Sequence, residues 1–161
     1  MSIYTLTLEG QRSLRDPSAK TLRDAVMRMA EPAGPTYIML KDSSGSFAQA
    51  GGTNGRYRVE CKEMFGEGFL HWMAASPTCK DRTKTVVYYR NGCIENKHPY
   101  RRCPLYATEA NVLGLPDVLA ILLEYLATDA RSADYAWDDV TGQWKTDEED
   151  DGEIEEIKPK R

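Results

Sequence analysis

Long apolar runs are missing from this chain. The greasiest stretch, 118–126, is too short for the ~20 apolar residues of a membrane helix, so no membrane span is expected. The first ten residues have neither a basic start nor an apolar run, and no secretory leader is expected. Cysteine is scarce. Four residues at irregular spacing read as reduced thiols of a cytoplasmic protein, not as a disulfide framework. Histidine is scarcer still, with only His71 and His98 to serve any Ser–His or Cys–His pair. A zinc deaminase needs His-x-Glu to move a proton and Pro-Cys-x-x-Cys to hold the metal. Here His71 is followed by Trp72-Met73 and Cys103 by Pro104, so both halves are absent. No Gly-rich, Lys-bearing phosphate loop occurs either. Neither a catalytic residue nor a cofactor is expected.

Net positive charge is missing as well. From residue 145 onward there are eight acids and four bases, and the difference accounts for the whole net charge of −4. Residues 1–144 are therefore electrically balanced and read as one domain. Residues 145–161 read as an acidic, mobile extension, either solubilising or able to occupy a basic partner. A balanced body argues against direct nucleic-acid binding, which needs a basic footprint. Lys97, Tyr100, Arg101 and Arg102 then read as a solvated loop.

What is present is clearest at 51–63. Tyr57, Val59 and Cys61 alternate with Arg56, Arg58, Glu60 and Lys62. That period of two marks a strand with one buried and one wet face. Asn54-Gly55 before it is a tight hairpin signal, because both residues accept positive φ. Gly51-Gly52 lets the backbone bend sharply or bulge.

Around this hairpin, strands are expected at 2–9, 37–41, 47–50, 69–75 and 83–90, a short edge strand within 105–112, and a last one at 135–137. Asp16 or Ser18 opens a helix carrying Leu22, Ala25, Val26 and Met29 on one stripe. Pro116 opens a second, with Val118, Leu119, Leu122, Leu123 and Leu126 as its apolar face and Asp129 at its end. The fold class expected is α+β: an antiparallel meander of about six strands with two helices on one face.

Two constellations have competing readings. Cys79, Cys93, His98 and Cys103 have zinc-ligand chemistry but no Cys-x-x-Cys knuckle, and the cysteines read better as loop or edge thiols. His71, beside Trp72 in a strand, reads as a structural histidine; the alternative is a small ligand-binding or enzymatic pocket near His71, Trp72 and Tyr88.

The order of parts resembles the first-numbered immunity-protein family of bacterial polymorphic toxin systems. The likeness rests on the helix at 21–30, the Gly51-Gly52-Thr53-Asn54-Gly55-Arg56-Tyr57 turn and strand, Val86-Val87-Tyr88-Tyr89, the Leu-rich helix with Tyr125, and the strand closing at Trp137. The loop at 93–104 and the acidic segment depart from it. The resemblance implies a cytoplasmic antidote without catalytic residues, whose partner is a cognate toxin domain, often a deaminase acting on nucleic acid. Arg56, Arg58, Glu60 and Lys62 on the exposed sheet face, with Asp138 and Asp139, are then the expected partner-binding residues.

Overall fold

The Asn54-Gly55 turn forms as its residues dictate, with φ of 55° and 75°. In the computed structural model, which describes residues 2–91, 101–143 and 155–156, it joins β4 (Phe47–Thr53) to β5 (Arg56–Phe65). Thr53 stands opposite Arg56, and this two-residue connection sets the register of the whole pair. β1 (Thr5–Leu8), β2 (Leu14–Arg15), β3 (Tyr37–Lys41), β6 (Gly68–Ala75) and β9 (Ala136–Asp139) complete an antiparallel sheet. Its strand order is β2-β1-β3-β4-β5-β6-β9.

α1 (Ala19–Arg28) and α2 (Leu115–Thr128) pack on one face of this sheet. Of the two possible caps, Ser18 is used: its hydroxyl accepts from the Thr21 amide at 3.1 Å. α2 begins with Pro116 in its first turn, where a missing N–H costs nothing. It ends at Asp129 in the left-handed region, φ 58°.

The inner face of the sheet alternates into the core as the period of two requires. Leu6, Leu40, Ala48 and Cys61 fall in one register row. Leu22 and Val26 of α1 close over them, with Val118, Ile121, Leu122 and Tyr125 of α2. Each such burial stabilises by about 1.5–3 kcal/mol. The stripe of α2 is rotated from the one read in sequence. Ile121 and Tyr125 are fully inside, while Leu119, Leu123 and Leu126 are only partly buried. The Tyr125 ring lies 5.4 Å from Tyr4 of the strand layer, and that contact sets the helix's phase.

The meander does not continue through the strand at 83–90. β7 (Lys84–Asn91) pairs instead with β8 (Arg101–Thr108), and β9 takes the edge of β6. β8 is longer than the expected edge strand. Pro104 and the two leading arginines hide its strand pattern, and Pro104 stands opposite Tyr88 in its ladder.

This second sheet lies on the face of the main sheet away from the helices. It approaches closely at Gly51, where a Cβ would stand 2.9 Å from Leu105 Cδ1. Tyr37 and Tyr89 meet there too, ring centroids 6.2 Å apart. The mobility expected of 145–161 falls outside the described residues, except at β10 (Glu155–Glu156), which runs antiparallel to β8.

Candidate functional site

Strand alternation does put Arg58 and Glu60 on the face away from the helices. That face is not wet there, because the β7–β8 layer covers it. Arg58 is only 5% exposed and Glu60 only 4%. They are therefore not on the exposed sheet face that the alternation led one to expect. They are the floor of a cleft of about 590 Å³ between the two sheets.

A buried charge is tolerable only when paired and hydrogen-bonded. Glu60 meets this condition fully. Its Oε2 accepts from Arg58 at 3.2 Å and from Gln49 Nε2 at 3.0 Å. Its Oε1 lies 3.1 Å from His71 Nε2. Gln49 is held in turn by the Tyr37 hydroxyl, which donates to Oε1 at 2.8 Å. Arg58 donates its other arm to the Tyr106 carbonyl of β8 at 2.8 Å. The network thus crosses β3, β4, β5 and β6 and ties them to the covering sheet.

Burial pushes the Glu60 carboxyl up, but the Arg58 guanidinium, His71 and Gln49 outweigh it and hold it at about 2. The unfolded carboxyl titrates near its ordinary 4.5. A depressed carboxyl adds stability above the unfolded value and loses it as pH falls through the folded one. The window is therefore from about 4.5 down to about 2. The effect is on the order of 3 kcal/mol. Urea unfolding at about pH 5 and about pH 3 should show wild type losing more stability than Glu60→Gln. Parallel losses in both would refute the assignment.

The cleft rim carries Lys84 and Asp139, with Asp138 beside them. Asp138 binds Arg82 at 2.6 Å and accepts from Asn111 Nδ2 at 2.9 Å. Partial burial raises its carboxyl, and these two donors bring it net below the usual range. The exposed Asp139 carboxylate accepts from the Thr141 amide at 3.0 Å and from its hydroxyl at 2.5 Å.

Arg56 and Lys62 lie outside the cleft. Exposed Arg56 reaches Glu109 at 3.2 Å and Thr85 at 3.3 Å, joining the hairpin to the second sheet. Lys62 stacks over Phe69 at 4.5 Å. So four of the six expected residues meet at one place, two as floor and two at the rim. His71, Lys84, Asn111 and Gln143 of this cleft were not expected there. The turn residues Gly52, Asn54 and Gly55 line a second cavity of about 690 Å³.

His71, Trp72 and Tyr88 do not line one pocket; only His71 lines the cleft. Consecutive strand residues point to opposite faces. Trp72 accordingly faces the helix side, under Arg131 at 4.0 Å, while Tyr88 lines the second cavity. Of the thiol group, Cys79 is half-buried and Cys103 buried; Cys93 and His98 lie outside the described residues. Among the described residues no cluster of three metal-ligating side chains occurs, and no helix is long and apolar enough to cross a membrane.

Comparison with protein-family models, curated proteins and solved structures returns no match.

Proposed function

We propose that this chain is an immunity protein that works by adhesion, occluding the active site of a cognate toxin domain. The observation that carries the reading is the saturation of Glu60. A general base working near neutrality needs a carboxyl raised toward pH 7. Glu60 instead has both oxygens engaged, by Arg58 and Gln49 on one and His71 on the other, and these partners hold its carboxyl below the usual range, so it frames the cleft. What remains for contact is a rim of mixed sign, with exposed Lys84 and Asp139. Charges so arranged steer encounter and choose between partners.

Occlusion requires only cover, on the order of 800 Å² on each partner. A toxin that handles nucleic acid presents a basic cleft, and Asp139 with the acidic segment suits it better than Asp138, which Arg82 already holds. The antidote acts in the cytoplasm, without cofactor and without touching nucleic acid itself.

Co-expression with a toxin domain encoded beside this chain tests the reading. Cells should survive, and Asp139→Lys with Lys84→Glu should weaken protection. Death regardless of this protein removes the proposal.

One feature favours a second reading, a small-ligand site: the buried Arg58, Glu60 and His71 all line the same cleft. A ligand seated there should shift the NMR signals of the His71 ring, whereas a partner covering only the rim should shift those of Lys84 and Asp139 instead.

A further inference from the structure

Two arginines stand directly opposite each other across the β7–β8 ladder, Arg90 against Arg102. Directly opposed residues of an antiparallel pair share one face, with Cβ atoms about 4.5–5.5 Å apart, and like charges so placed repel. Both line the cavity of about 690 Å³ beside the Asn54-Gly55 turn. That cavity is separate from the Glu60 cleft: the two share no lining residue among those described.

The repulsion is only half answered from within the chain. Arg90 is compensated, because its guanidinium donates to the Gly34 carbonyl at 2.5 Å and lies 3.5 Å from the Glu9 carboxylate. Arg102 is not. Its guanidinium lies 3.6 Å from the centre of the Tyr88 ring, and among the described residues no carboxylate pairs with it. Glu31 is the only acid among the described lining residues, and it pairs with neither arginine. The stack holds the planar fork in place and leaves its N–H edge for an acceptor lying in the same plane. Carboxylate and phosphate oxygens match that fork.

We propose that this cavity binds a small molecule through an oxyanion, a carboxylate or a phosphate group, seated between Arg90 and Arg102. Arg102 supplies the fork, Tyr88 fixes its orientation, and Arg90 adds positive charge from across the ladder. The anion takes the place of the carboxylate that Arg102 lacks and relieves the repulsion between the two strands. This inference stands apart from the antidote reading, because neither arginine belongs to the cleft or its rim.

The test titrates the full chain with inorganic phosphate and, separately, with acetate, at constant ionic strength. The arginine Nε–Hε signals are followed by NMR. At least one anion should shift the signals of Arg90 and Arg102 along a saturable curve, and the anion that does so identifies the group recognised. Arg102→Gln, followed at Arg90, should weaken that binding at least about tenfold, the loss expected for hydrogen bonds to a charged group. Tyr88→Leu leaves every charge in place and should weaken it about threefold, the worth of the lost stack. Lys80→Gln removes one positive charge at an exposed position outside the cavity and should leave the binding unchanged. Shifts that stay linear with both anions in the wild-type protein overturn the proposal, whether or not the variants fold. So does equal weakening by Lys80→Gln and Arg102→Gln, which would mark general charge attraction in place of a site.

Discussion

Glu60→Ala should destabilise the protein by about 3–5 kcal/mol, the cost of leaving one partner of a buried pair alone. For a chain of this size that lowers the unfolding midpoint by about 10 °C. The substitution strips Arg58 of its carboxylate at 3.2 Å and Gln49 of its acceptor at 3.0 Å, both beneath a covering sheet. Water does not readily replace what is lost, because Arg58 is 5% exposed. Replacing the set together, Arg58→Met with Glu60→Leu and His71→Leu, should cost much less than Glu60→Ala alone. Removing all the charges removes the desolvation penalty along with the attraction. Thermal unfolding of the two variants decides it. A triple variant less stable than Glu60→Ala would show that the network contributes more than mutual compensation.

Gly52→Ala should cost about 3 kcal/mol or more, the upper end for one strained residue. Gly52 has φ of 153°, and a Cβ there would stand 2.0 Å from the Arg56 carbonyl oxygen and 2.8 Å from Tyr57 Cα. Neither neighbour can step aside, because both belong to the backbone of β5. Gly55→Ala is the matched control. Its φ is 75°, but nothing lies within 4 Å, so only the left-handed penalty of about 1–2 kcal/mol applies. The consequence reaches the cleft. The hairpin register places Gln49 opposite Glu60, and a slip of β4 by one residue would put Gln49 on the opposite face from Glu60. Denaturant unfolding should rank Gly52→Ala well below Gly55→Ala. The reverse order would contradict this account of the turn.

Much of this arrangement was legible before any coordinates. Asn54-Gly55 marks a two-residue turn, which alone puts Gln49 across from Glu60. The alternation through Tyr57, Val59 and Cys61 names the inner face of β5, and all three are buried. Ser18 and Asp129 mark helix ends by chemistry that acts within one turn. The meander and its two helices follow from such local signals.

The covered face was not legible in β5. Arg58 and Glu60 alternate like any solvated pair, and nothing local says that another sheet lies above them. The available clue sat in β7, where Val86 and Tyr88 oppose Val87 and Tyr89. A strand apolar on both sides is usually buried on both. Its partner β8 was obscured by Pro104 and by Arg101-Arg102, which carry loop chemistry within a ladder. The phase of α2 depends on where Tyr4 meets Tyr125, a contact between opposite ends of the chain.

The cleft itself follows from these long-range placements, which is why Lys84 and Asn111 could not be assigned to it from spacing. Asp138 and Asp139 reach its rim because β9 pairs with β6, Asp138 standing opposite Met73.

The most direct test of the proposed antidote role is a titration with this protein of whatever toxin domain is found encoded beside it, followed by toxin activity. Inhibition should be complete at one equivalent, with Asp139→Lys and Lys84→Glu together raising the concentration required and His71→Gln leaving it unchanged. Undiminished toxin activity at large excess would contradict the account, as would loss of inhibition on His71→Gln in a protein that remains folded.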